Sequence, residues 1–391
     1  MNRRISNNES RTAEVEVGIQ ESEIKKSGFR SQASDDLLIN PGFRIQNLEL
    51  CKLPAPHSPL LSVLSFLSLT FLLILGDKAV AERPVFSFGV FTDAQHCDCE
   101  PKGTRHYRSS LGKLREIVRD YNRRELAFAV QLGDLIDRDM ASFDTTVSIL
   151  RGLKAPLYHV LGNHDYEVKD EEKARVLKDR GLRRGYYEFK RDNWRFLVLD
   201  GNDLSYHAQP GSSGPDRETQ ELFEHIERSG EAQARKWNGG LGREQLTWLE
   251  AKLKEADGAG ERVILFCHYP VYPPGRYNLW NAEEVVKIIE DHGCVSGYLC
   301  GHNHEGNYAV KNGVHYLTLK AVLETERENA FSLVDVYDGH LNILGFGREP
   351  SRILRISAGD TAAKKRIGTD WIWLPAGILA LLFIAFWAGG G

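Results

Sequence analysis

This chain of 391 residues is poor in sulfur, and its charge is nearly balanced. It has only two methionines and six cysteines: Cys51, Cys97, Cys99, Cys267, Cys294 and Cys300. No CxxC pair occurs, which argues against a structural zinc ribbon. Only Cys97 and Cys99 are close in sequence. Cys267 and Cys300 lie in apolar runs, where free buried thiols are expected. Fifty Lys and Arg face 54 Asp and Glu, a formal net charge of −4. There is no positive excess to hold nucleic acid by bulk charge, so a phosphate-bearing ligand would have to be attracted locally. No internal repeat or low-complexity segment is visible, so no repeat architecture is expected. What is present is an ordinary globular balance, with 42% hydrophobic and 27% charged residues. The length allows one large domain or two ordinary ones.

Residues 1–58 are polar, with few aromatics and no periodicity, and read as disordered. An uncharged run, PLLSVLSFLSLTFLLILG, follows at 59–76, and Ala79-Val80-Ala81 fits the small-x-small pattern of a signal-peptidase site. The segment 59–81 reads as a signal peptide or signal-anchor, with a buried core helix as the alternative. Residues 84–348 read as the catalytic domain. In it FSFGVFTD, LAFAVQLGD, LYHVLGNHD, WRFLVLDGND, RVILFCHYP, VSGYLCGHNH and HYLTLKAVLE are apolar strands running into polar loops. Amphipathic stretches such as SLGKLREIVRDYNRR and NAEEVVKIIEDHG read as helices between them. A linker at 349–370 leads to WIWLPAGILALLFIAFWA at 371–388, a transmembrane or hydrophobic C-terminal helix. Hydrophobic termini predict membrane association. The basic triplet Lys364-Lys365-Arg366 would favour a cytoplasmic domain and an export signal the opposite side, so the side stays open.

The chemistry-bearing residues sit where strands end. Asp93 and Gln95 follow FSFGVF; residues two apart in extended chain share a face, so both are expected to meet one metal while His96 points away. Gly133-Asp134 ends the next strand, with Asp137 three residues on. Gly162-Asn163-His164-Asp165, His268, and Gly301-His302-Asn303-His304 end three more. Singly, each has a bland reading as a helix cap or a structural histidine. Together, five strand ends deliver Asp, Asn, Gln or His, as expected of a site at the carboxyl edge of an α/β sheet. Oxygen and nitrogen donors without cysteine suit Mn²⁺, with Fe or Zn²⁺ as alternatives.

These motifs resemble the calcineurin-like metallophosphoesterase superfamily. Its pattern is Asp-x-His, Gly-Asp-x-x-Asp, Gly-Asn-His-Asp, a lone His and Gly-His-x-His. Gln95 departs from it where most members have His. That departure, with FGVFTDAQHCD, RHYRSSL, GYYEFKRDNWRFLVLDGNDLS, NGGLGREQLTWLEAKL, HYPVYPP, LWN, GHNHEGNY and VLETERENAF, is similar to the manganese-dependent ADP-ribose/CDP-alcohol diphosphatase family. The resemblance spans about residues 86–348.

The resemblance implies an α/β fold: a four-layer sandwich of two mixed β-sheets flanked by helices. It implies two divalent metal ions, Mn²⁺ favoured, with Asp93, Gln95 and His304 at the first, Asn163, His268 and His302 at the second, and Asp134 bridging. In that reading the ions acidify a shared water for in-line attack on phosphorus. His164 is the group expected to protonate the leaving oxygen or stabilise the transition state. Asp165 could orient His164 or cap a helix, and Asp137 could support the site or start a helix. Arg105, His106, Tyr107 and Arg108 could meet phosphates or a base, or form a solvated helix start; Tyr272, Tyr277 and Trp280 could stack on a base or pack their loop. Asn202 and Asp203 could line the rim, while Tyr158, His159 and Trp194 read as core. The implied reaction is hydrolysis of the pyrophosphate bond of small-molecule nucleoside diphosphate derivatives, ADP-ribose or CDP-alcohols. The alternatives are another phosphoester (a cyclic nucleotide, a phospholipid head group, a phosphoprotein) or a non-catalytic scaffold. Retention of every metal position disfavours the scaffold.

Overall fold

The structure is a computed structural model that describes residues 82–211 and 214–356. Two six-stranded mixed sheets face each other. The first runs β14 (Arg352–Arg355), β13 (His340–Gly347), β12 (Ala330–Val336), β1 (Phe86–Phe91), β2 (Phe128–Leu132), β3 (Leu157–Val160). The second runs β10 (Asn307–Lys311), β11 (Val314–Thr318), β9 (Val295–Cys300), β8 (Arg262–Phe266), β5 (Trp194–Val198), β4 (Tyr187–Arg191). A two-stranded ribbon pairs β6 (Leu204–Ser205) with β7 (Gly239–Gly240).

Alternation in β1 shows how the layers form. Phe86, Phe88 and Val90 point into the space between the sheets, against Phe196, Phe266 and Leu299 of the second sheet. Phe91 points outward, under the helices α1 (Ser110–Tyr121) and α2 (Met140–Leu150), with Leu114, Ile117 and Phe143. Gly89 also faces outward, and a Cβ there would overlap the Tyr121 ring. On the far side α5 (Arg243–Ala259) and α6 (Ala282–Glu290) bury Leu249, Leu253, Val285 and Ile289 against Leu265 and Tyr298 of the second sheet. The result is the expected four-layer sandwich. Among the described residues the remaining α-helices are α3 (Asp170–Asp179) and α4 (Arg217–Arg228).

Strands β1, β2 and β3 are mutually parallel, as are β5, β8, β9 and β11. The loops that leave β1, β2, β3, β8 and β9 carry every nominated metal ligand and His164. Strand β14 lies in the stretch read from sequence as a linker.

The membrane expectation is corrected here. No helix among the described residues is long and apolar enough to cross a membrane. The runs at 59–76 and 371–388, and the N-terminal segment 1–58, lie outside the described residues.

Candidate metal centre and active site

Six of the seven nominated ligands, Asp93, Gln95, Asp134, His268, His302 and His304, are joined by side-chain contacts, and the seventh, Asn163, is buried next to His164, whose backbone N–H donates to Asp134. Asp134, His268 and His302 place donor atoms within 4.8 Å of one another. Gln95 Nε2 donates to Asp134 Oδ2 at 2.9 Å and lies 3.2 Å from His304 Nε2. His304 Nε2 lies 3.4 Å from Asp93 Oδ1, and His268 Nε2 lies 3.3 Å from Asp134 Oδ2. Asp93, Gln95, Asp134, Asn163, His268 and His302 are all buried.

The loop backbone differs from the extended chain assumed from sequence. Asp93, Gln95, Asp134 and His302 all have positive φ, between 39° and 66°. Such conformations cost about 1–3 kcal/mol each and persist where the surroundings hold them. Asp165 supplies part of that hold: its carboxylate accepts from the backbone N–H groups of Asp134 (2.9 Å), Leu135 (2.9 Å) and Gly162 (2.9 Å). It therefore pins the β2 and β3 loops together rather than orienting His164. Gly162 is required here, because a Cβ would overlap Asp134 Oδ1. At Gly133, with φ 96°, a Cβ would lie 2.5 Å from His268 Nδ1.

Each histidine has one ring nitrogen committed outward and one facing the cluster. His268 Nδ1 bonds the Leu132 carbonyl at 2.9 Å, leaving Nε2 inward. His302 Nε2 bonds Asn238 Oδ1 at 2.9 Å, leaving Nδ1 inward, 3.1 Å from His268 Nε2. His304 Nδ1 bonds Glu324 Oε1 at 2.7 Å, leaving Nε2 inward. This is how metal-binding histidines have their tautomer fixed. Three buried oxygens also have no hydrogen-bond partner: Asp93 Oδ1, Gln95 Oε1 and Asn163 Oδ1. Unpartnered buried oxygens are costly unless a cation meets them. A half-turn of the Gln95 amide, whose terminal torsion is two-fold, presents Oε1 to the cluster. The residues fit a pair of hard divalent cations.

The electrostatics agree. Burial alone would raise the Asp93 carboxyl, but contact with His304 and the charge of His268 more than offset it, holding it at about 2. Burial opposes charge on His268, yet Asp134 and then Asp93 raise it to about 9. The contact with His304 leads in holding Glu324 down at about 2.

His164 stands beside this cluster. Its backbone N–H donates to Asp134 Oδ1 at 2.8 Å, and its Nδ1 lies 2.8 Å from Asp137 Oδ1, off the line of an ideal hydrogen bond. Burial would lower the imidazole pKa, but Asp134 and then Asp137 raise it overall.

The residues nominated for substrate separate into two groups. Arg105 is close enough for its charge to act on His164, His304 and Glu324. Tyr277 lies 5.8 Å from the His302 ring. Trp280, Tyr107, Arg108, Asn202 and Asp203 are placed elsewhere. Trp280 is only 1% exposed; it packs against Phe223 and Tyr206, and its indole N–H donates to the Arg235 carbonyl at 3.0 Å. Tyr107 is buried with Cys97, Ala321 and Leu323. Arg108 is paired with Asp98 at 2.5 Å and Glu100 at 2.6 Å. Asn202 and Asp203 are also committed inside: Asn202 bonds the Leu161 carbonyl and Tyr269, and Asp203 accepts from Gly242 and Gln245. The expectation of substrate contact at Trp280 and Tyr107 is corrected by their burial; Arg108 is half exposed and engaged by two surface carboxylates.

Sequence reasoning passed over Trp237, Asn238, Arg276 and Glu324. Trp237 is 36% exposed, with Arg235 5.8 Å and Arg276 5.4 Å from its ring. Arg276 also lies 5.4 Å from the Tyr277 ring, which is 5.8 Å from His302. An aromatic and cationic patch thus adjoins the cluster through Asn238. The available sequence signal was the run RKWNGG, in which basic residues precede a tryptophan.

Among solved structures, a dimetal phosphatase from Danio rerio aligns with TM-score 0.61 and 28% identity, covering 70% of this chain and 100% of that one. A manganese-dependent ADP-ribose/CDP-alcohol diphosphatase of Arabidopsis thaliana is 32% identical over 304 residues, 70% of this chain and 98% of that protein. Its Mus musculus counterpart is 31% identical, over 72% of this chain and 96% of that protein. The model of calcineurin-like phosphoesterases matches residues 86–306, the segment that carries every nominated ligand. The chain belongs to the calcineurin-like phosphoesterase family and, within it, groups with the manganese-dependent ADP-ribose/CDP-alcohol diphosphatases.

Proposed function

We propose that the chain hydrolyses the pyrophosphate bond of nucleoside diphosphate derivatives such as ADP-ribose or CDP-alcohols, releasing a nucleoside monophosphate. Residues 84–348, with the strand that follows, form the catalytic domain. The observation that carries the reading is the cluster of buried Asp93, Gln95, Asp134, His268 and His302 with half-buried His304, in which three histidine nitrogens face inward, with the buried oxygens Gln95 Oε1 and Asn163 Oδ1 lacking any hydrogen-bond partner. Asp93, Gln95 and His304 would hold one Mn²⁺, Asn163, His268 and His302 the other, and Asp134 would serve both. When bound, the ions supply Lewis acidity that acidifies water and offsets charge on phosphoryl oxygens.

The protein's own groups do the rest. His164, beside Asp137 and with its pKa raised by the neighbouring carboxylates Asp134 and Asp137, delivers a proton to the departing phosphate oxygen. Arg105 adds positive charge on the same side, where negative charge builds in the transition state. Trp237 and Tyr277 offer faces for a base, and Arg235 and Arg276 offer guanidinium groups for phosphate.

The test incubates the full chain with ADP-ribose, CDP-choline and a phosphomonoester, with and without Mn²⁺, beside Asp134→Asn. Manganese-dependent AMP and CMP that vanish in the variant are expected. Cleavage of the monoester alone would remove the diphosphatase reading.

A further inference from the structure

Cys97 and Cys99 form a disulfide two and four residues beyond Gln95, and nothing in the hydrolytic reading uses them. Cys97 is fully buried against Tyr107, Ala321 and Leu323, while Cys99 is partly exposed. Cys97 Sγ lies 3.8 Å from Asp137 Oδ2. The other oxygen of the same carboxylate is the one 2.8 Å from His164 Nδ1. Arg138 donates to Asp137 Oδ2 at 2.9 Å. The disulfide is therefore two contacts away from the imidazole, through one carboxylate. The residue between the two cysteines, Asp98, is held by Arg108.

We infer that Cys97–Cys99 is a redox-modification site, opened by dithiols and closed by disulfide oxidants, that positions His164 through Asp137. The inference rests on the role given to His164 above. Opening is a thiol–disulfide exchange: the S–S bond breaks and two S–H bonds form. The two electrons and two protons come from the dithiol, which closes to its own cyclic disulfide. The partly exposed Cys99 is the sulfur a reductant can reach. In the disulfide, Cys97 has no hydrogen and cannot donate to Asp137, whose carboxylate is left to Arg138 and His164. After reduction Cys97 carries an S–H facing Asp137 Oδ2, a new donor that competes for the carboxylate. Breaking the small ring also frees the segment carrying Asp98. Both changes turn the Asp137 carboxylate and loosen the imidazole it holds.

The experiment compares the manganese-loaded full chain before and after treatment with a small dithiol. Alkylation followed by mass spectrometry counts the thiols at Cys97 and Cys99. Diethyl pyrocarbonate modification of His164, read by mass, reports on its exposure and orientation independently of turnover. Kinetics use ADP-ribose and an ester with a nitrophenyl leaving group, which needs no proton. Reduction is expected to expose both thiols, to change the His164 modification rate, and to lower kcat for ADP-ribose about threefold to tenfold. That is a small share of the ~10²–10⁴ a positioned acid contributes. KM and the nitrophenyl ester should not move. Cys99→Ser should show the lowered kcat without reductant, and Cys97→Ala should not respond to reductant. New thiols with unchanged kcat and unchanged His164 reactivity would overturn the inference and leave the hydrolase standing, as would thiols that never appear. A chain that hydrolyses nothing but whose His164 reactivity still follows redox state would retain the coupling and lose the proposed reaction.

Discussion

The side chains of the candidate metal centre and those nominated for substrate are built into the structure differently, although they share the loops that follow β1 and β8. In the first set, side chains aim inward and their remaining polar atoms are satisfied from behind: Leu132, Asn238 and Glu324 each take one histidine nitrogen. In the second set, Trp280 and Tyr107 are packing residues and Arg108 is neutralised by two acids. An aromatic and cationic patch forms from the exposed Trp237 and Arg276 and the half-buried Tyr277. Metal ligands must converge within a few ångströms, so spacing and motif locate them. A substrate surface needs only exposure at the right place, and one-dimensional spacing does not report exposure.

The sharpest way to break this contrast is Asp134→Asn, which removes a carboxylate shared by both halves of the cluster. Activity with Mn²⁺ should fall more than about 10³-fold, and manganese titration by calorimetry should show weakened binding. Activity close to that of the parent chain would remove Asp134 from the centre.

Next in size is Asp137→Asn. His164 must be protonated to act as the acid, so activity exists below its pKa and is lost as pH rises through it. Asp137 raises that pKa. The variant should therefore lose its activity at lower pH than the parent. Because outer partners of active-site groups matter at the 10–100-fold level, kcat should drop by about that factor. A basic limb that does not move in a kcat–pH profile would refute the role.

Glu324→Gln is expected to weaken Mn²⁺ binding about 10- to 100-fold, since it removes the charge that fixes the His304 tautomer. Metal titration of the folded variant checks this without turnover.

The tryptophans give the finest comparison. Trp237→Ala should raise KM about 5- to 150-fold, from a loss of about 1–3 kcal/mol of stacking, with little change in melting. Trp280→Ala should cost about 3–5 kcal/mol of stability and lower the melting temperature, with KM little changed in what remains folded. Reversed outcomes would return Trp280 to the substrate surface.

Much of the architecture is legible in the chain. The apolar runs FSFGVF, LAFAVQL and VSGYLC each become strands, because alternating or continuous apolar residues need burial on one or both faces. The stretches 110–121 and 282–290 become helices that lie over the two sheets. Strands β12, β13 and β14 carry no chemistry at their ends and drew no notice, yet they extend the first sheet.

The sequence by itself nominated the donor set, because the order of Asp, Gln, Asn and His at successive strand ends, and the family resemblance those motifs carry, are legible without coordinates. Tertiary structure decided how those donors point: through left-handed backbone at Asp93, Gln95, Asp134 and His302, through the carboxylate of Asp165, and through partners as distant as Glu324 and Asn238. It also decided which aromatic rings face solvent and that Cys97 meets Cys99 and Asp137. The physical reason is that orientation and exposure arise from contacts between residues far apart in the chain, and no local pattern encodes such contacts.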